Sequence, residues 1–280
     1  MEKSTADSKS IFITGGGGGM GLATGKYFAE RGWFVGLFDI DEQILASAAA
    51  QFEPNRVVTH VLDVTNEAAF EPAIAAFAER TGGKMDVMFN NAGIAPGGWF
   101  DEMATETIAQ IINVNVMGVI YGIRAGLPLM KQTDNALCIS TSSSCATYGH
   151  AMRAVYSASK YAVKGITEAL SLEFERFGIR TADVLPGCID TPMLRGESAK
   201  GRGLSLAEFD LTMLDGLPKE GAYRLMPATA IAEAVWSAYQ NSDQIHFYVP
   251  EEVGDINRRK GDDFAGARQE TKEFLFGRQR

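Results

Sequence analysis

Apolar positions fall in short, nearly uninterrupted runs, and the stretches between them have a helical period. The runs occupy residues 10–14, 33–38, 57–61, 87–89, 137–139, 181–185 and 245–249. Helices are predicted over residues 21–31, 44–52 and 67–80. Strands that are apolar throughout are typical of a parallel sheet covered by helices on both faces. We therefore predict an α/β fold with a doubly wound parallel sheet of about seven strands.

The 280 residues contain no internal repeat and no low-complexity linker, so residues 1–250 are predicted to form one domain. Residues 192–226 interrupt the pattern with a mixture of Gly, Lys, Arg, Met and Leu that has no clear period. Residues 251–280 carry seven acids and seven bases. We expect this charged tail to pack on the surface or on a neighbouring subunit.

Composition narrows the class of protein. Hydrophobic residues make up 46% and charged residues 22%, and the net charge is −9. Disordered and fibrous classes do not fit these values, and the negative charge disfavours nucleic-acid or anionic-membrane binding. From the polar start we expect no secretory signal, and we expect the apolar stretches to stay well below the roughly 20 residues of a membrane helix. A cytoplasmic location is expected.

The metal-binding and disulfide-forming residue types are few. The three cysteines are Cys138, Cys145 and Cys188, and the three histidines are His60, His150 and His246. An odd cysteine count without a C-x-x-C motif favours free thiols in a reducing compartment. The scattered histidines do not form a metal-ligand pattern, so no metal site is predicted.

A glycine-rich loop connects the first strand to the first helix. Residues 14–21 read T-G-G-G-G-G-M-G. Glycines at such a turn let the backbone approach a pyrophosphate, which then lies at the helix N-terminus. Asp39 ends the second strand, 18 residues after Gly21. A carboxylate there accepts hydrogen bonds from ribose hydroxyls and repels a 2′-phosphate, which favours NAD over NADP.

Tyr156 and Lys160 are four residues apart in a helical stretch, so they share one face of the helix. A phenol has a pKa of about 10, and a neighbouring ammonium favours its ionised form. Polar clusters also follow the fourth, fifth and sixth strands, at residues 90–93, 140–144 and 186–191. Ligands of open α/β sheets bind at these carboxyl ends.

From residue 14 to residue 191, these elements resemble the short-chain dehydrogenase/reductase family, with its T-G-x-x-x-G-x-G and Y-x-x-x-K motifs. The resemblance implies a Rossmann-type fold. It also implies a catalytic set, which falls on Asn115, Ser143, Tyr156 and Lys160. Ser143 is chosen because the family serine usually stands thirteen residues before the tyrosine. Its neighbours Ser142 and Ser144 stay open as alternatives, with turn capping as their other role.

The resemblance also implies the residues that contact NAD. Those near the pyrophosphate are Gly15, Gly19, Met20 and Gly21. Those near the adenosine are Asp39, Asp63, Val64 and Asn91. Those near the nicotinamide and its ribose are Tyr156, Lys160, Pro186, Gly187, Ile189 and Thr191. For Asp63, a second interpretation is a turn residue before the following helix.

The implied reaction is hydride transfer between NAD(H) and a secondary alcohol or ketone. Tyr156 would act as general acid and base, Ser143 would bind the substrate oxygen, and Asn115 would anchor a water that relays protons through Lys160. Candidate substrate residues are Ala95, Pro96, Trp99, Cys145, Tyr148, His150, Met152, Cys188, Met193 and Leu194. Their apolar and aromatic character favours a neutral, hydrophobic or ring-containing substrate. His150 also fits a role as a loop hydrogen-bonding residue.

Residues 192–226 resemble the substrate lid of this family, and we expect this segment to be mobile. A homo-oligomer is expected, a dimer or a tetramer. Two other functions remain open: a non-catalytic NAD-binding sensor, and a family isomerase or dehydratase. A methyltransferase would leave Tyr156 and Lys160 without a role.

Overall fold

The computed structural model describes residues 8–200, 203–241 and 243–277. Its main sheet has seven strands, all parallel, in the order β3-β2-β1-β4-β5-β6-β9. The strands are β1 (Ser10–Thr14), β2 (Phe34–Asp39), β3 (Val57–Val61), β4 (Val87–Asn90), β5 (Leu137–Thr141), β6 (Arg180–Pro186) and β9 (His246–Val249). The strand order reverses between β1 and β4, which opens a crevice at their carboxyl ends. The predicted Rossmann-type fold is confirmed.

Helices cover both faces of this sheet. They are α1 (Gly19–Ala29), α2 (Glu42–Ala49), α3 (Phe70–Thr81), α4 (Thr105–Ile112), α5 (Gly118–Met130), α6 (Ala154–Glu173), α7 (Pro192–Lys200), α8 (Thr229–Gln240), α9 (Val253–Asp262) and α10 (Phe264–Phe276). Successive residues of β1 point to opposite faces. Ile11 and Ile13 pack in the core that includes α1 and α8, whereas Phe12 packs in the core that includes α3 and α5. Both faces are apolar, so polar side chains concentrate at the strand ends.

The predicted helix over residues 67–80 divides into two parts. A 3₁₀ turn spans Glu67–Ala69, and α3 begins at Phe70. The side chain of Asn66 accepts a hydrogen bond from Ala68 N at 3.1 Å and begins the turn. Pro72 falls in the first turn of α3, where a missing N–H costs no intrahelical hydrogen bond.

Helices α4 and α5 are continuous through a π-helical turn at Asn113–Met117. The combined segment Thr105–Met130 has a mean hydropathy of 1.3 in its most apolar window, enough by length and composition to cross a membrane. The expectation that apolar stretches stay well below that length is therefore wrong for this segment. Its contacts are those of a core helix, because Val119 and Ile123 are buried against the sheet and exposed Arg124 pairs with Glu67 at 3.1 Å.

Residues 192–226 have more regular structure than their composition indicates. The segment begins with α7, and its last strand, β8 (Leu225–Pro227), pairs in parallel with β7 (Cys188–Asp190) as a separate two-stranded sheet. Helix α7 is polar on average, so its sequence has little apolar periodicity from which to predict a helix. The Arg195 guanidinium forms two hydrogen bonds to the Asp190 carboxylate, at 2.7 and 2.9 Å.

The charged tail forms the helices α9 and α10, which fold back on the same chain. Val253 and Ile256 of α9 are fully buried, and so are Ala267 and Thr271 of α10. Most of the remaining side chains face solvent. The two helices therefore carry a narrow buried stripe beneath a charged outer surface.

Candidate active site

A cavity of about 610 Å³ lies at the carboxyl edge of the sheet. The ends of β5 and β6 form its inner wall, and the start of α6 forms one side. Helix α7 and the end of α10 close it from outside. The cavity therefore lies where an open parallel sheet binds its ligands.

Tyr156 lies on the first turn of α6 and lines the cavity. Burial, with a smaller contribution from the negative charge of Cys145, raises its pKa to about 12. A hydrogen bond with Ser143 and the positive charge of Arg153 act in the opposite direction. With the protein groups alone, Tyr156 is thus a neutral phenol at physiological pH.

Lys160 lies one turn further along α6 and is only 3% exposed. Its ammonium donates a hydrogen bond to the Thr141 carbonyl at 2.8 Å and lies 5.6 Å from the centre of the Tyr156 ring. Burial lowers the Lys160 pKa to about 8. Burial, Cys145, Ser143 and Arg153 set the Tyr156 pKa in the protein alone. The expected lowering of this pKa by Lys160 together with an oxidised nicotinamide stays a prediction.

The three neighbouring serines have different contacts. Ser142 Oγ donates to the Lys160 carbonyl at 2.9 Å, and the Ser144 carbonyl accepts from Thr147 Oγ1 at 2.7 Å. Ser143 Oγ accepts from the Cys145 N–H at 3.1 Å and forms the hydrogen bond that lowers the Tyr156 pKa. Among these serines, the contact with Tyr156 singles out Ser143.

Asn115 is fully buried in the π-helical turn. Its Oδ1 accepts from the Ile94 N–H at 2.9 Å, and its Nδ2 donates to the Ile94 carbonyl at 2.9 Å and to Ser159 Oγ at 3.1 Å. A Cβ atom placed on Gly93 would lie 3.2 Å from Asn115 Oδ1 and 3.5 Å from Lys160 Nζ. Asn115 therefore ties the loop after β4 to α6 beside Lys160.

The glycine loop has backbone angles and close contacts that only glycine allows. Gly15 and Gly19 have φ values of +63° and +50°, and a Cβ atom on Gly21 would lie 2.1 Å from the Gly15 carbonyl oxygen. Asn91 Nδ2 donates to the carbonyls of Thr14 and Gly15 at 3.1 and 3.2 Å. The loop ends directly at the N-terminus of α1, so its shape and the positive end of that helix fit a pyrophosphate.

Two acids stand at the neighbouring strand ends. Asp39 Oδ2 accepts from the Gly17 N–H at 3.1 Å, which places the carboxylate beside the loop. Asp63 Oδ1 accepts from the N–H and hydroxyl of Thr65 at 2.9 and 2.7 Å, so Asp63 forms the turn that the second interpretation describes. Val64 is buried next to it. The loop and Asp39 together suit a dinucleotide.

The other proposed cofactor residues lie around the cavity. Those that line it are Met20, Pro186, Gly187, Ile189 and Thr191. A Cβ atom on Gly19 would lie 3.4 Å from Thr191 Cγ2, so the loop and the residues after β7 approach each other closely. The proposed pyrophosphate and nicotinamide positions are therefore adjacent.

The proposed substrate residues are only partly brought together. Those in the cavity are Ala95, Cys145, His150, Met152, Cys188, Met193 and Leu194. Pro96 and Trp99 instead line a second hollow of about 420 Å³. Tyr148 packs against Phe264, with ring centres 5.5 Å apart. The structure thus places Trp99 and Tyr148 outside the cavity lining.

Sequence reasoning named Cys145 and His150 as cavity residues but missed the charged pair beside them, Arg153 and Glu197. Arg153 donates to the Ala95 carbonyl and pairs with Glu197 of α7 at 3.2 Å. Burial raises the pKa of Cys145, but the charge and hydrogen bond of His150 outweigh it, with help from Ser143 and Arg153, and the net pKa is lowered. Arg153 stands three residues before Tyr156, and this spacing is the sequence signal that indicates a position close to Tyr156.

Two aromatic residues beyond the family motifs also line the cavity, namely Tyr223 and Phe274. Tyr223 falls within the predicted lid segment, whereas no sequence pattern points to Phe274. Tyr223 precedes β8, and Phe274 lies near the end of α10. Their contribution depends on how distant segments fold together, so no local spacing indicates it.

The fold and the arrangement of Tyr156, Lys160 and Ser143 at its carboxyl edge define a Rossmann-type oxidoreductase. Residues 9–201 match the short chain dehydrogenase family. The chain belongs to the short-chain dehydrogenase/reductase family, as the resemblance implied.

Known relatives cover most of the chain. Levodione reductase from Leifsonia aquatica is 36% identical over 191 residues, covering 66% of this chain and 70% of that protein. A crystal structure of levodione reductase matches with a TM-score of 0.77 and 27% identity, over 86% of this chain and 95% of that one. Momilactone A synthase from Oryza sativa subsp. japonica is 32% identical over 236 residues, covering 82% and 83%.

A third relative was solved with a nicotinamide cofactor. The structure of 3-ketoacyl-(acyl-carrier-protein) reductase from Brucella melitensis complexed with NADH is 25% identical, with a TM-score of 0.75. The match covers 89% of this chain and 99% of that one.

We expect Gly21→Ala to weaken NADH binding at least about tenfold, because the new methyl group must push the Gly15 carbonyl out of the loop. The matched control is Gly165→Ala on α6, where a Cβ atom meets nothing within 4 Å. Titration of NADH fluorescence measures both. Equal affinity in the two variants would contradict the assignment of the loop.

Proposed function

We propose that the protein is an NAD-dependent dehydrogenase that interconverts a neutral secondary alcohol and its ketone. The observation that carries the proposal is the contact of Tyr156 with Ser143 and its closeness to Lys160, next to a glycine loop that fits a pyrophosphate. Relatives named as reductases and dehydrogenases support oxidoreduction of alcohols and ketones.

The glycine loop would hold the pyrophosphate, and the residues after β6 and β7 would hold the nicotinamide. When bound, the nicotinamide supplies the acceptor or donor of the hydride. Asp39 lies beside the loop through its bond to Gly17 N–H. Its carboxylate would accept hydrogen bonds from the ribose hydroxyls and repel a 2′-phosphate, which supports NAD over NADP.

Tyr156 would exchange the proton with the substrate oxygen at its Oη atom. A phenolate is needed for alcohol oxidation, and the neutral phenol is needed for ketone reduction. Ser143 would orient the substrate oxygen by a hydrogen bond. The buried Lys160 ammonium would stabilise the phenolate, because opposite charges attract strongly away from water.

Asn115 contributes in this proposal mainly as a positioning residue. Its amide groups are already bonded to Ile94 and Ser159, which holds Gly93 against Lys160. The proposed water relay from Lys160 to solvent would run beside this fixed loop.

The largely apolar cavity supports a hydrophobic or ring-containing substrate over a sugar phosphate or dicarboxylate. Helix α7 would act as the lid, held to the start of α6 by the Arg153–Glu197 pair. We further propose that the enzyme acts in the cytoplasm as a homodimer, or as a tetramer built from such dimers.

Tyr156→Phe is expected to lower the turnover of secondary alcohols by about 10³-fold or more, because the variant has no group to take the hydroxyl proton. NADH binding should stay close to that of the wild type. The control Tyr121→Phe removes a phenolic hydroxyl group from α5, at a residue outside the cavity lining. NADH absorbance measures turnover in both variants.

Near-normal turnover in Tyr156→Phe would contradict the proposed role of Tyr156. A protein that binds NADH but never changes its absorbance with any alcohol or ketone would instead favour a sensor, an isomerase or a dehydratase.

Asp39→Asn is expected to reduce the preference for NADH over NADPH by about tenfold, because it removes the charge that repels the 2′-phosphate. Asp41→Asn removes the same charge two residues away, from the cap of α2, and should leave the preference unchanged. Binding titrations with both cofactors measure the ratio. Equal affinity of the wild type for NADH and NADPH would overturn the assignment.

A further inference from the structure

The C-terminal helix α10 reaches the substrate cavity. Phe274 lines it and stacks on Tyr223, with ring centres 3.8 Å apart and an interplanar angle of 5°. The imidazole of His150 lies at 5.9 Å from the Tyr223 ring and 6.2 Å from the Phe274 ring. These three residues form one continuous surface, which we call the aromatic wall.

The tail is anchored on both sides of this wall. Lys260 of α9 donates to Tyr161 Oη at 2.5 Å, and Tyr161 Oη donates to the Thr147 carbonyl at 2.8 Å. Arg224, next to Tyr223, pairs with Glu252 at 2.5 Å. The position of Phe274 is therefore tied to the helix that carries Tyr156 and to the segment that carries Tyr223.

The helix α10 is itself well packed where it meets the cavity. Ala267 and Thr271 are buried, two turns and one turn before Phe274 on the same helix. Thr271 Oγ1 donates to the Ala267 carbonyl at 3.0 Å, which joins the two buried positions. A side chain presented from such a supported helix has a defined position, which a specificity contact requires.

We propose that Phe274 selects the substrate, and that it favours secondary alcohols and ketones bearing a planar or alicyclic ring. The inference rests on the proposed dehydrogenase function and names the part of the chain that sets its substrate class. Aromatic rings gain energy from offset or edge contacts with other rings, beyond the area that they bury. The wall offers such contacts, while Tyr156 and Ser143 hold the reacting oxygen.

This selection would come from a segment outside the residues that match the family. The match ends at residue 201, whereas Phe274 and Tyr223 both follow it. Loss of α10 contacts should thus alter which alcohol is used and should spare the chemical step and NAD binding.

The test compares Phe274→Ala with Phe264→Ala, which removes the same ring from the same helix at a position that is 57% exposed. The substrates are 1-phenylethanol, which carries a ring, and 2-butanol, which does not. With NAD saturating, Phe274→Ala should lower kcat/KM for 1-phenylethanol about tenfold, chiefly through KM. The value for 2-butanol should stay within about twofold.

Phe264→Ala should leave kcat/KM unchanged for both substrates. Phe274→Tyr, which keeps the ring, should retain the preference for 1-phenylethanol. An equal loss for both alcohols in Phe274→Ala would show a purely structural role and overturn the inference. Unchanged selectivity in that variant would also overturn it, while leaving the proposed function intact. A wild-type enzyme with equal kcat/KM for the two alcohols would also overturn the inference and leave the proposed function intact, whereas near-normal turnover in Tyr156→Phe would contradict the proposed function.

Discussion

The ammonium of Lys160 is buried at the end of β5, where it donates to the Thr141 carbonyl at 2.8 Å. None of the ion pairs among the described residues involves Lys160. Burying a charge without a carboxylate partner is costly, and the lowered pKa of about 8 reflects that cost. In the proposed reaction this charge would stabilise the phenolate of Tyr156, which lies on the adjacent turn of α6.

The rest of the fold supports this arrangement. The Ser142 hydroxyl bonds the Lys160 carbonyl, and Asn115 fixes the loop that lies over the lysine. Asn91 joins the ends of β1 and β5, since its Nδ2 bonds the Thr14 carbonyl and its Oδ1 accepts from Thr141 Oγ1. Because both faces of the sheet are apolar, these polar contacts lie only at its carboxyl edge.

The sequence predicts the parts of the site that depend on local spacing. The glycine loop, Asp39 and the Tyr156–Lys160 pair each lie within one turn or at one strand end, so their geometry follows from the element that carries them. The apolar runs likewise predict the parallel sheet, since a strand buried on both faces has little polar alternation.

Contacts between distant segments are not predictable in this way. Trp99 and Tyr148 are predicted to line the cavity, but Trp99 lines a separate hollow and Tyr148 packs against Phe264 of α10. Phe274 enters the cavity through the tertiary fold of the tail. The pKa of Tyr156 also depends on burial, which a four-residue spacing does not report.

The central claim is that Lys160 and the oxidised nicotinamide together reverse the effect of burial on Tyr156. The most direct test is a pH titration of tyrosinate absorbance, taken as the difference between wild type and Tyr156→Phe, with and without saturating NAD. In the free protein the Tyr156 pKa should lie near 12. With NAD bound, we predict a pKa below the ordinary tyrosine value of about 10. A pKa that stays near 12 in the NAD-saturated protein would contradict the account.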